Sequence, residues 1–313
     1  MNGNHNLISI SIVIPVYNSE ASIAKVVDKL YLELKHKYDL EIILVNDNSQ
    51  DKSEQVCFSL YEKYRDMLKF YSLSKNVGEH NAVMAGLNNV SGEYAIIMDD
   101  DFQNPISEVS KLISYIIKNH YDVVYTFYKK KKHTLFRNLG SWFNNKVANL
   151  MLKKPKHLYL SSFKIIHRYV IQEIIKYDLP FPYIDGLILR TTENIGKIQV
   201  KHDERKIGKS GYTIRKLVSL WLNMFTNFSI LPLRITMLIG LLFALLGLLL
   251  GVLTIYEKLT NPNLPVGYAS TIVFIAIFSG IQLIAIGMLG EYLGRIFLSQ
   301  NKKPQYLIRK RYE

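Results

Sequence analysis

The first hundred residues alternate between two hydrophobic periodicities. "ISISIVIP" at 8–15 has the two-residue alternation of a strand, and 19–37 then carries apolar positions at helical spacing. The exchange repeats: "EIILVN" at 41–46, a helix over 51–65, "LKFYSL" at 68–73, a helix over 78–90, and "EYAIIM" at 93–98. Such repetition predicts an α/β fold with a Rossmann-like, mostly parallel sheet and helices on both faces. Sheets of this kind bind ligands beyond the carboxyl ends of their strands.

The last third follows another pattern. Residues 235–256 and 269–289 carry no charge, and each matches the ~20 apolar residues that span a bilayer. Gly247 and Gly251 in the first run offer the spacing at which membrane helices approach closely. Upstream, Ile214, Leu217, Val218, Trp221, Phe225 and Phe228 form one stripe, predicting an amphipathic helix in the membrane interface, with packing on the soluble domain as the alternative. The expected organisation is a soluble domain over 1–210, an interfacial region over 211–232, a two-helix transmembrane anchor over 233–290 and a basic tail over 291–313.

Charge orients this arrangement. Residues 197–216 hold seven Lys and Arg against two acids and 291–313 six against two, while the loop between the spans has one of each. Both outer flanks, and with them the soluble domain and the tail, are therefore expected in the cytoplasm. The start lacks the basic segment of a secretion signal, so none is expected before the first strand. Over 313 residues the formal net charge is +13, which calls for an anionic partner without choosing among nucleic acid, lipid and phosphorylated substrate. Cys57 is the only cysteine, which excludes an intrachain disulfide and a Cys-based metal site.

The candidate chemistry falls on one rim. Pro15, Tyr17 and Asn18 follow the first strand, Asp47 the second, Lys75 and Asn76 the third, and "DDDFQ", Asp99 to Gln103, the fourth. Three adjacent acids repel one another, so they mark either a solvated turn or a place where a cation is held; convergence of four segments favours a site. Oxygen ligands from Asp99, Asp101 and Gln103 suit a hard ion, Mg²⁺ or Mn²⁺. There is no G-x-G-x-x-G, and "GKS" at 208–210 has Asp203 where a phosphate loop needs Gly. Lys75 also reads as a surface lysine, Tyr17 as a packed ring, "KKKK" at 129–132 as a solvated or lipid-attracted loop, and His80 as a structural hydrogen-bonding residue.

In order and spacing, "IPVYN", "VNDNSQD", "KNVGEHNAVMAGL" and "MDDDFQNP" resemble the motifs of family 2 glycosyltransferases of the GT-A fold, in the branch that acts on polyprenyl phosphates. The likeness is to undecaprenyl-phosphate glycosyltransferases and dolichyl-phosphate mannose synthase, and "HDERKIGKSGYT" and "GMLGEYLGRIF" extend it over nearly the whole chain. The resemblance implies that Asp99 and Asp101 are the ends of a D-x-D motif with Gln103 as a further ligand, and that Pro15, Tyr17 and Asp47 line the pocket for the base. It implies that Arg137 and Ser141 hold the acceptor phosphate, with Arg205 and Lys209 as second-rank phosphate ligands or membrane-surface charges. The chain departs from the family at Ser19, where Glu usually follows "YN", and at Asn46, the first of two usual acids.

The expectation is therefore a membrane-bound inverting transferase that moves a sugar from a nucleotide-diphosphate donor, UDP by preference, to undecaprenyl phosphate for cell-envelope glycans. It would sit in the bacterial inner membrane as a homo-oligomer, with no nucleic-acid partner. A polysaccharide synthase or other acceptor is disfavoured by the missing Q-x-x-R-W and the presence of only two spans, and a non-catalytic scaffold by the intact D-x-D.

Overall fold

The computed structural model describes residues 7–101, 104–128, 155, 158–180, 182–201, 231–260, 267–301 and 304–313. They form two compact units, residues 1–212 with 303–313, and residues 213–302.

The first unit opens with the alternation anticipated: β1 (Ser9–Val16), α1 (Ile23–Leu34), β2 (Asp39–Asn46), α2 (Ser53–Lys63), β3 (Leu68–Leu73), α3 (Glu79–Leu87) and β4 (Tyr94–Ile97). After α4 (Ser107–Asn119) come β5 (Val123–Tyr128), β6 (Lys164–His167), α5 (Arg168–Ile174), α6 (Ile184–Thr191) and β7 (Ile195–Val200), and the unit ends with β8 (Ile308–Tyr312). The eight strands form one sheet in the order β7-β5-β6-β4-β1-β2-β3-β8. The block β4-β1-β2-β3 is parallel throughout, whereas β6 runs antiparallel to β4 and β5, and β8 antiparallel to β3.

Central β1 is buried along most of its length, as a strand covered on both faces must be. Ile10, Ile12 and Ile14 enter a core shared with Val26 and Leu30 of α1 and Leu112 and Ile116 of α4. The opposite face takes α3 at close range, because a Cβ at Gly86 would lie 2.3 Å from Val13 Cγ1. That glycine seats the helix and sets its first turn at the rim.

The expected helix over 19–37 begins at Ile23, since residues 19–22 are drawn into the rim loop described below. The expected basic tail runs as helix to Gln300 and then returns to the sheet as β8. Tyr312 stacks on Phe70 with ring centroids 5.6 Å apart, and the Tyr71 hydroxyl donates to Glu313 at 2.8 Å.

The second unit is a helical pair, α7 (Leu231–Thr260) and α8 (Tyr268–Gln300), containing apolar spans over Thr236–Leu253 and Ile277–Leu298 long enough to cross a bilayer. Phe243 and Phe278 meet edge to face at 5.9 Å. The Gly247 and Gly251 spacing does not mark a tight helix contact: an added Cβ meets only Phe278 Cζ at 3.8 Å at the first and nothing within 4 Å at the second.

Candidate active site

Parallel register places the carboxyl ends of the four central strands together, with Val13 beside Ile97 and Pro15 beside Val45. The β1–α1 and β2–α2 loops are stitched along their length. Asn18 N–H donates to Ser49 Oγ at 3.0 Å, Gln50 N–H to Asn18 Oδ1 at 2.8 Å, Ser19 N–H to Ser53 Oγ at 2.7 Å, and Lys52 N–H to Glu20 Oε2 at 2.8 Å. Asn18 and Asn48 both adopt φ of 54°, a left-handed conformation that asparagine tolerates better than most residues. Pro15 is half-buried at the end of β1. The Tyr17 ring is 46% exposed on the rim and so is not a core-packing residue.

Asp47 is buried, and its two oxygens accept the backbone N–H groups of Val77 at 2.7 Å and Gly78 at 2.9 Å. Burial raises its pKa, and these two bonds offset the rise only in part. The carboxylate thus shapes the β3–α3 loop, which carries the exposed Lys75.

Asp99 and Asp100 diverge. Asp99 accepts from the Ser162 hydroxyl at 2.6 Å, towards β6, whereas Asp100 accepts from the Ser19 hydroxyl, towards β1. Side chains alternate along an extended segment, so this divergence is what the sequence pattern requires. Asp100 therefore holds the β1–α1 loop through Ser19. Burial pushes Asp99 up to about 6, with Glu79 and Asp101 adding negative charge and Ser162 and Lys164 opposing. Asp100 is likewise pushed up to about 6 by burial, reinforced by Asp99 and Asp101 and opposed by the Ser19 bond. The buried Asn104 accepts from the Tyr128 hydroxyl at 2.9 Å, anchoring the far end of the loop.

This concentration of negative charge fits a cation. Among the described residues no three His, Cys, Asp or Glu side chains form a complete cluster of ligands. Two carboxylates supplemented by substrate phosphate oxygens and water are, however, the usual set for a hard divalent ion at a nucleotide site. Gln103, Arg137, Ser141, Arg205, Lys209, the 129–132 lysines and the stripe over 214–228 lie outside the described residues.

A buried polar network behind Asp99 escaped the sequence reading. Lys164 at the start of β6 and Asp185 in the first turn of α6 form an ion pair with side-chain exposures of 4% and 10%. The Tyr125 hydroxyl donates to the same Asp185 oxygen at 2.8 Å, and Lys164 Nζ lies 5.0 Å from the Tyr125 ring centre. His80 packs edge-on against Tyr183 at 5.2 Å. Burial pushes its pKa down to about 4, against the pull of Asp185 and reinforced by Lys164, which keeps the imidazole neutral at physiological pH. The available signal was a single charge inside each of two apolar segments, "FKII" and "YIDGLI"; a buried charge requires a partner.

The sheet thus carries adjacent buried acids on its rim and is followed in the chain by an apolar helical pair. Residues 11–175 match the sequence profile described as glycosyl transferase family 2, and 231–296 match that of the GtrB C-terminal hairpin. The chain belongs to glycosyl transferase family 2. It is 31% identical over 308 residues to the undecaprenyl-phosphate 4-deoxy-4-formamido-L-arabinose transferase of Photorhabdus laumondii subsp. laumondii, covering 96% of this chain and 93% of that protein. The protein of the same name from Serratia proteamaculans is 32% identical over 304 residues, with coverage of 96% and 93%. Among solved structures, glucosyl-3-phosphoglycerate synthase from Mycobacterium tuberculosis shares the fold at 18% identity and a TM-score of 0.51, over 69% of this chain and 80% of that one. The same enzyme has been crystallised with Mn²⁺ and UDP-glucose; that structure aligns with a TM-score of 0.50 at 18% identity, covering 69% of this chain and 79% of that one. The chain is a glycosyltransferase with a membrane hairpin.

Proposed function

We propose that this enzyme transfers a sugar from a nucleotide-diphosphate donor, most directly a UDP-sugar, to undecaprenyl phosphate at the cytoplasmic face of the bacterial inner membrane. The observation that carries this reading is the divergent acid cluster at the rim, in a chain whose likeness to relatives named for undecaprenyl phosphate runs through the hairpin. The domain limits that follow from it are a catalytic domain over 1–210, an interfacial segment over 211–232 and an anchor over 233–290.

Asp99 and Asp101, with Gln103, would hold a divalent ion, Mg²⁺ or Mn²⁺. When bound, that ion supplies neutralising charge to the departing diphosphate. Pro15, Tyr17 and Asn18 line the donor side. Asp47 presents the loop bearing Lys75, and Asp100 ties that side to the acid segment through Ser19. The acceptor phosphate oxygen is already ionised at neutral pH, so it attacks the anomeric carbon without a strong general base. The new bond from that carbon to the phosphate oxygen forms as the bond to the nucleoside diphosphate breaks, with inversion. Arg137 and Ser141, backed by Arg205 and Lys209, orient the acceptor in line.

The test is incubation of the purified full chain, in lipid nanodiscs, with short-chain polyprenyl phosphate and a panel of nucleotide sugars. A UDP sugar carrying 4-deoxy-4-formamido-L-arabinose heads the panel. A lipid product heavier by one sugar residue supports the reading; nucleotide release without glycosylated lipid from every donor overturns it.

A further inference from the structure

We propose that β8 is a positioning element of the donor site: Arg309 and Lys310, acting through Glu54 at the start of α2, hold the 18–20 and 48–53 loops in their working arrangement. The inference rests on the assignment of that rim to donor binding, and it begins at the sheet edge. In the β3–β8 register Phe70 lies beside Tyr312 and Ser72 beside Lys310. Phe58 of α2 packs on the same Tyr312 ring at 5.0 Å, so β8 is fixed against both β3 and α2. At the start of α2, Glu54 receives Arg309 Nη2 at 2.6 Å and Lys310 Nζ at 2.8 Å.

From the β3 and α2 residues that β8 fixes, two lines of hydrogen bonds lead to the rim, the first starting at Ser72 beside Lys310. Asn46 Nδ2 donates to Ser72 Oγ at 3.2 Å, Asn46 Oδ1 accepts Ser49 N–H at 3.2 Å, and Ser49 Oγ accepts Asn18 N–H at 3.0 Å. A second branch passes from Ser53, next to Glu54, to Ser19 N–H and thence through the Ser19 hydroxyl to Asp100. Asn46 and Ser72 have no exposed surface.

The pairs at Glu54 are partly exposed, so their effect is modest and local. The test uses the full chain in nanodiscs. Arg309→Ala with Lys310→Ala should raise the donor KM about five-fold, leave kcat at saturating donor within about two-fold, and speed amide exchange in 18–20 and 48–53 while β1 and β4 amides stay protected. Exchanging the charges, Glu54→Lys with Arg309→Glu and Lys310→Glu, should return both readouts towards wild type. Lys310→Ala alone, which keeps Arg309 on Glu54, should give a smaller change of the same sign and serves if the double variant fails to fold. Unchanged KM and loop exchange, a uniform rise in exchange across the sheet, or failure of the exchanged charges to restore either readout would overturn the proposal. Amide exchange is read without turnover, so a failure of the proposed reaction is distinguishable from a failure of this inference.

Discussion

Replacing Asp99 by Asn should stabilise the protein in the absence of divalent cation while abolishing its response to one. In the folded protein the Asp99 carboxyl is pushed from an ordinary 3.8 up to about 6, by burial first and then by Glu79 and Asp101. Each pH unit corresponds to ~1.4 kcal/mol, so ionising this group in place costs ~3 kcal/mol, reduced to ~1–2 kcal/mol because part of the side chain meets solvent. Between about 4 and 6 the folded protein binds more protons than the unfolded chain, so stability falls as pH rises through that window and the loss persists above it. The amide has no charge to bury, and its Oδ1 still accepts from Ser162. In EDTA at pH 7.5 the Asn variant should therefore melt ~2–6 °C above wild type, by intrinsic fluorescence, and the two should converge near pH 4. Mn²⁺ with UDP should raise the wild-type Tm and leave the variant's unchanged. A variant less stable than wild type at pH 7.5, or one that responds equally to Mn²⁺ and UDP, would refute the reasoning.

Three further outcomes follow from the same geometry. Asp47→Ala leaves the N–H groups of Val77 and Gly78 without their acceptor and should cost ~2–4 kcal/mol of stability in chemical denaturation, with donor binding lost in parallel in calorimetric titration. Lys164→Met strands the buried Asp185 and should destabilise by ~3–5 kcal/mol, whereas Lys164→Met with Asp185→Leu should recover most of that loss in the same denaturation assay. Arg137→Ala should depress transfer to lipid with nucleotide binding nearly intact, while neutralising Lys129 to Lys132 should give a smaller effect that vanishes at high salt, as steady-state kinetics at two ionic strengths would show.

The parallel half of the sheet was legible because each strand and helix from 8 to 98 carries its own periodicity, and parallel order follows from their alternation. The remainder was set by partners distant in sequence. β6 is four residues long and opens on the charged Lys164, and its antiparallel place beside β4 follows from a register that no local pattern encodes. β8 reads "IRKRY", a basic tail by composition, and becomes a strand because β3 offers an open edge and Glu54 takes up two of its charges. At the site, the alternation of side chains along an extended segment is what parts Asp99 from Asp100. That Ser19 is what Asp100 holds, and that Asp47 is occupied by two backbone donors, depended on contacts 81 and about 30 residues apart in the chain.

The central claim is that donor cleavage and glycosylation of a lipid phosphate are one reaction at the Asp99 rim. Its most direct test is mass analysis of undecaprenyl phosphate after incubation with the nanodisc-embedded protein, a nucleotide sugar and Mg²⁺ or Mn²⁺, with released nucleoside diphosphate measured in the same vessel. The account predicts one sugar added per nucleoside diphosphate released, with both falling at least ~10²-fold in Asp99→Asn and Asp101→Asn. Nucleotide release without glycosylated lipid, or undiminished product from those two variants, would contradict it.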